Sequence, residues 1–283
     1  MPLALILSSF VSASRVGGMP QALALSAFKV DPVLVPTVLF GRRPGEGVPP
    51  GGGPVAAETF RGVLEGVESH GLFGLTDLAI TGYFALPAQV EIAAEAIARA
   101  KRASREGAYG SKLTVVVDPI MGDDPEGLYV SEAVARCIAA LLVPLADVLT
   151  PNLWELGRLT GVRLSEPEEV AEAARALGKP VLVTSVPMGE RIGAVYAGPK
   201  AAVSFAHRRV ENAPHGTGDV VAAVLGAHLI EGVAPAAAAE QAIRAAAETV
   251  FAAEQWDAPE LPVVALGERL RTPTAEVSVR RLG

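Results

Sequence analysis

The sequence predicts an α/β fold, a three-layer αβα sandwich around a mainly parallel central sheet. Three observations carry this reading. Short apolar runs, several rich in β-branched residues, recur along the chain with little polar alternation, as strands covered on both faces do. Longer segments with apolar residues three or four apart separate them, as helices packing on a sheet do. No Ser/Gly linker or charge run divides the 283 residues, so a single domain spanning 1–283 is expected.

Taken in order, the predicted strands are Leu3–Leu7, Leu34–Phe40, Leu78–Thr81, Leu113–Val117, Asp147–Leu149 and Val181–Val183. Phe60, Val63, Leu64 and Val67 mark one helix, Val90–Ala100 a second and Glu168–Leu177 a third, which starts at Ser165, Pro167 and the acidic pair Glu168-Glu169. Ile192–Tyr196 and Ala202–Phe205 flank a Gly-Pro turn and read as an antiparallel hairpin. Two apolar helical stretches follow, Val220–Ile230 and the Ala-rich Ala236–Ala253, entered through Pro235 and read as sheet packing with no cofactor role. Strand–helix alternation of this kind gives a parallel sheet, and ligands bind beyond the carboxyl ends of its strands.

Composition excludes several classes. Half the residues are hydrophobic and 19% charged, too apolar for a disordered chain. A net charge of −7 argues against a nucleic-acid binder and against anionic membranes. The apolar stretch Ala133–Leu149 is broken by Arg136, Pro144 and Asp147, short of the roughly 18 residues a membrane span needs. Met1–Ala13 has no basic residue before Arg15 and reads as a buried strand rather than a secretory leader. The single cysteine, Cys137, is expected to be a buried structural thiol in a cytoplasmic protein. His70, His207 and His228 are scattered and read as ordinary surface or core residues.

Four groups of residues fall at the strand ends. His215-Gly216-Thr217-Gly218-Asp219 precedes a helix, so bare N–H groups and a positive dipole end form an anion site. Asp219, in the first helical turn, is suited to handling a proton. Asp118, Asp123, Asp124 and Glu126 follow a strand and make a hard-oxygen cluster suited to Mg²⁺. Thr150 caps a helix through Pro151 and brings Glu155 to the same rim. Thr184 and Ser185 add hydroxyls at another strand end. An anion hole, a carboxylate base and an acidic metal cluster are the parts of phosphoryl transfer. Neither a P-loop nor a protein-kinase motif set is present.

These motifs carry a resemblance. DPIMGDDPEGLYV (118–130), TPNLWEL (150–156), GTGD (216–219) and ELPVVALGERLRTP (260–273) together resemble the pyridoxal kinase branch of the ribokinase-like superfamily, nearly end to end. The resemblance implies an ATP-dependent kinase acting on the 5′-hydroxymethyl of pyridoxal, pyridoxine or pyridoxamine. Asp219 would be the base, with Gly216, Thr217 and Gly218 holding the γ-phosphate charge. Asp118, Glu155 and Asp123 would serve Mg²⁺; Asn152, Thr184, Ser185 and Thr217 would serve ATP. Ser9, Val16, Phe40 and Tyr83 would meet the ring. A monovalent cation such as K⁺ and a homodimer are implied in the same way.

The departures lie in the substrate half. Phe10 and Gly18 stand where that family has histidine and asparagine, and GRRPGEGVPPGGGP (41–54) replaces its polar, aromatic segment and is expected to form a mobile lid. LLVPLADVLTPNLWELGRLTG (141–161) and His215 also look like hydroxymethylpyrimidine kinases, although that branch usually has cysteine at the position of Asp219. Two alternatives therefore stand beside the first reading: a hydroxymethylpyrimidine (phosphate) kinase and a non-catalytic pyridoxal-binding paralogue.

Overall fold

In the computed structural model, which describes residues 1–45, 47–103, 106–110 and 112–283, ten strands form one sheet. The first half contains β1 (Leu3–Val11), α1 (Gly18–Ala27), β2 (Asp31–Phe40), β3 (Gly52–Pro54), α2 (Ala57–Ser69), the single-turn α3 (Leu72–Leu75), β4 (Thr76–Thr81), α4 (Pro87–Arg102) and β5 (Thr114–Val117). A two-residue ribbon, β6 (Gly122–Asp123) and β7 (Gly127–Leu128), precedes α5 (Glu132–Cys137) and β8 (Val148–Leu149). Then come α6 (Leu153–Thr160), α7 (Pro167–Ala176), β9 (Val181–Met188), β10 (Arg191–Ala197), β11 (Ala202–Arg208), α8 (Thr217–Ile230), α9 (Pro235–Gln255), α10 (Val263–Leu266) and β12 (Ser278–Leu282).

The sheet order is β12-β11-β10-β9-β8-β5-β4-β1-β2-β3. The six strands from β9 to β2 pair in parallel, while β10, β11, β12 and the short β3 add antiparallel edges. Alternate residues of each parallel strand enter two different cores. Ala4, Ile6, Leu78, Ile80 and Val116 pack under α1, α8 and α9, whereas Leu5, Leu7, Ala79, Val115 and Val117 pack under α2, α4, α5 and α7. This two-sided burial is why the strand sequences show so little alternation. The three layers match the expected fold.

The helix starts have local causes. Pro87, Pro167 and Pro235 each stand at the first helical position, where a missing N–H costs nothing. Two local readings change. Asn152, not Thr150, caps α6: its side chain accepts the Glu155 N–H at 2.8 Å, and the Glu155 carboxylate returns to the Asn152 N–H at 2.9 Å. Cys137 is half-buried and is the last residue of α5, ahead of a π-helical turn, rather than a buried mid-helix thiol. Among the described residues, no helix is long and apolar enough to cross a membrane.

The C-terminal ends of β1, β2, β4, β5, β8 and β9 meet at one edge. The segment after Phe40 folds back there: the Gly41 N–H donates to the Pro50 carbonyl, and Gly52–Pro54 pairs with Val38–Phe40 as an edge strand. Part of the expected lid thus belongs to the sheet, and its Glu46 lies outside the described residues.

Candidate active site

An open cleft of about 1100 Å³ lies along that edge. Most residues expected from the sequence line it: Ser9, Val16, Phe40 and Tyr83 in one group, Asp118, Asp123, Glu126 and Glu155 in another, Asn152, Thr184 and Ser185 in a third, and the run Gly216 to Asp219; Asp124 of the acidic cluster does not.

The run Gly216 to Asp219 is shaped by a glycine. Gly216 precedes α8 with φ +99°, a conformation that side chains rarely adopt. A Cβ there would stand 2.0 Å from the Arg15 carbonyl oxygen. The turn opens the first N–H groups of α8 toward the cleft and sets Asp219 in its first turn. Asp219 is buried, with Oδ2 accepting the Gly17 N–H at 2.7 Å and Oδ1 accepting the Gln21 Nε2–H at 3.1 Å. Burial and then the nearby Asp118 hold its pKa well above the ordinary carboxylate value, against the pull of the Gly17 N–H.

Two more buried carboxylates line the same cleft, and one of them, Asp118, lies near enough to act on both Asp219 and Glu155. Asp118 continues from the end of β5, and burial pushes its pKa up to about 7, with the Thr150 hydroxyl pulling back. Glu155 is raised well above its ordinary value by burial and then by Asp118, although three backbone N–H groups favour its charge. Those donors are Met121 at 2.8 Å and Gly122 at 3.4 Å on Oε1, and Asn152 at 2.9 Å on Oε2. Asp123 is half-buried and accepts the Asp124 N–H at 2.8 Å. The Tyr129 hydroxyl is pushed up to about 12 by burial and by Asp123, Glu126 and Glu155, which marks this rim as strongly negative.

Such a set fits a hard divalent cation. The donors are all oxygen, two are buried carboxylates that repel each other, and a cation relieves that repulsion. Among the described residues, no three acidic, His or Cys side chains converge into a protein-only cage. Mg²⁺ suits that arrangement, because it keeps waters and takes phosphate oxygens.

Asn152 joins two elements here. Its Nδ2–H donates to the Gly122 carbonyl at 2.8 Å, and its backbone bridges Thr184. Ser185 is exposed with φ +59°, a strained conformation for a non-glycine residue, found here in the cleft wall. At the other end, Gly17 is pressed against Ser9: a Cβ on Gly17 would stand 2.0 Å from the Ser9 Oγ. The Tyr83 carbonyl accepts the Thr37 hydroxyl at 2.6 Å, and burial raises the Tyr83 phenol.

Sequence reasoning missed several cleft residues. Gly17 and Gln21 reach Asp219 across about two hundred positions, a pairing that no local pattern encodes. His207 lines the cleft instead of being an ordinary surface or core residue, and Ile243, Ala246 and Val250 of α9 form an apolar wall beside Val210. The Ala-rich helix therefore reaches the site, contrary to its reading as sheet packing alone. Arg43, Pro44 and Gly45 bring the 41–54 segment to the rim.

The chain is similar to known proteins in sequence and in fold. A family model described as phosphomethylpyrimidine kinase matches residues 92–263. A pyridoxine/pyridoxal/pyridoxamine kinase of Bordetella avium is 34% identical over 257 residues, 87% of this chain and 84% of that protein. A pyridoxal kinase of Leifsonia xyli subsp. xyli is 30% identical over 292 residues, 99% of each. In fold, the chain is similar to the pyridoxal kinase of Leishmania donovani solved with ADP and pyridoxamine, with a TM-score of 0.90 at 23% identity over 100% of both chains. With two bacterial kinases 30% identical or more over most of its length and a family model over more than half of it, the chain belongs to the pyridoxal kinase family of the ribokinase-like superfamily.

Proposed function

We propose that this chain transfers the γ-phosphoryl group of ATP to the 5′-hydroxymethyl of pyridoxal, pyridoxine or pyridoxamine. The observation that carries the reading is Asp219, a buried carboxylate with a raised proton affinity in the first turn of a glycine-capped helix. The substrate hydroxyl oxygen attacks the γ-phosphorus as its proton passes to Asp219. The bond from the γ-phosphorus to the β–γ bridging oxygen breaks, and ADP leaves. A raised carboxylate pKa brings the base closer to working pH. The N–H groups at Gly216, Thr217 and Gly218 meet the charge on the transferring group, and backbone donors cost no reorganisation.

The remaining roles follow position. Ser9, Val16, Phe40 and Tyr83 hold the ring, with Arg43 to Gly45 of the 41–54 segment covering it as a lid. Asn152, Thr184, Ser185 and Thr217 face the phosphates, and the wall of Val210, Ile243, Ala246 and Val250 suits an adenine. Asp118 and Glu155, directly or through water, and Asp123 would hold Mg²⁺, which neutralises phosphate charge when bound. A K⁺ requirement and a homodimer rest on the sequence resemblance, and a cytoplasmic location rests on the single cysteine.

Asp219→Asn keeps the shape of the site and removes the base. It should lower kcat by about 10²–10⁴-fold, while nucleotide affinity stays near wild type and the thermal midpoint does not fall. Turnover of pyridoxal at the wild-type rate would refute the assignment.

A further inference from the structure

The Asp219 carboxylate has two donors, and only one of them is backbone. Gln21, in the first turn of α1, is fully buried and gives its Nε2–H to Oδ1 at 3.1 Å. Its own Oε1 accepts nothing among the described residues. The neighbouring Ser8 Oγ is likewise buried and without a hydrogen-bond partner. Both crowd Gly82, where a Cβ would stand 2.3 Å from the Ser8 Oγ and 3.6 Å from the Gln21 Nε2. Ala24 and Leu25, on the next turn of the same helix, belong to the apolar core shared with α8 and α9. An amide buried there with its oxygen unsatisfied is costly, and the one side-chain hydrogen bond it makes among the described residues is to Asp219. Gln21 is therefore explained through Asp219 rather than through packing.

We propose that Gln21 is a positioning residue that fixes the Asp219 carboxylate for proton acceptance. The inference rests on the reading of Asp219 as the base. A carboxylate held through one oxygen can turn about its broad terminal torsion. Donors on both oxygens, Gly17 on Oδ2 and Gln21 on Oδ1, lock its plane. Each oxygen keeps a lone pair for the incoming hydroxyl. Gln21 touches no substrate; it acts through Asp219.

Gln21→Met and Gln21→Leu test this by steady-state kinetics and thermal melting. Losing one hydrogen bond to a charged group should lower kcat by about 10–100-fold. The KM values for ATP and for the acceptor should change by less than about threefold, and the variants should stay folded at the assay temperature, any loss of stability being limited to that of an unpaired Asp219 Oδ1. A wild-type kcat in either variant overturns the proposal, and so does a kcat loss that merely follows the folded fraction. Failure of both variants to fold also overturns it, because the fold would then need Gln21. Asp219→Asn in the same series separates the two readings. Full activity there removes the base itself, whereas an inactive Asp219→Asn beside an active Gln21→Met removes only this inference.

Discussion

Gly216 and Gly218 stand two residues apart and are glycine for different reasons. Gly216 has a positive φ and no room, since a Cβ would meet the Arg15 carbonyl oxygen at 2.0 Å. Gly218 has helical backbone and nothing within 4 Å of its virtual Cβ, so the open space beside it is the cleft it lines. Gly216→Ala should therefore lower both stability, by about 1–3 kcal/mol, and turnover. Gly218→Ala should do the opposite to stability, raising it by up to about 1 kcal/mol through helix propensity. On the proposed reading its methyl group would enter the space of the phosphates, so nucleotide affinity should fall by about tenfold or more. Melting curves with and without ATP check both, and equal destabilisation by the two alanines would contradict the distinction. Asp219, Asp118 and Glu155 were legible in the sequence because each follows a strand or opens a helix. Gln21 was not, because α1 meets α8 only in the folded chain.

At the scale of elements, Gln89 braces the substrate end. This fully buried side chain in the first turn of α4 accepts the Ala85 and Leu86 N–H groups at 3.1 and 3.2 Å. It donates to the Thr37 and Val55 carbonyls, each at 2.7 Å. One amide thus ties β2, the far end of the 41–54 segment and the loop that carries Tyr83. Gln89→Met should strand those carbonyls and N–H groups, costing about 1–3 kcal/mol, and should raise the acceptor KM by roughly tenfold with the ATP KM nearly unchanged. Equal changes in both KM values would show that the brace is not specific to the substrate end. Strands such as Leu3–Leu7 were readable because they are buried on both faces. Helix α1 was not, since SASRVGGMP carries turn residues and α1 has no side-chain cap or acidic first turn. β3 and β12 were missed because Gly52–Pro54 and the arginine-bearing Ser278–Leu282 lie on edges, where position rather than propensity decides.

For the whole molecule, the acidity has a location that bears on stability. Asp118, Glu155 and Asp219 are buried, and all three have raised pKa values. A carboxyl whose folded pKa lies above its unfolded value binds more protons when folded, so stability falls as pH rises between the two values. For Asp118 that window runs from 3.8 to about 7. Asp147 works in the opposite sense: burial raises it, but Lys112, the Val115 N–H and Lys101 pull it below its ordinary value. Its stabilisation is lost only as pH falls, and it is partly exposed and screened. His207, His215 and His228, whose pKa values burial lowers, also work in that opposite sense. The contribution of the buried carboxylates is therefore read as the difference in metal-free pH slope between wild type and Asp118→Asn, with the slope of the variant expected to be more positive. Mg²⁺ favours the ionised carboxylates, so adding it should make the wild-type slope more positive and raise the midpoint most at pH 7. Asp118→Asn should raise the metal-free midpoint at pH 7 and blunt the Mg²⁺ response. A metal-free pH slope that Asp118→Asn left unchanged would mean that this carboxylate is not held protonated by the fold, and the argument for a cation beside it would lose its electrostatic basis.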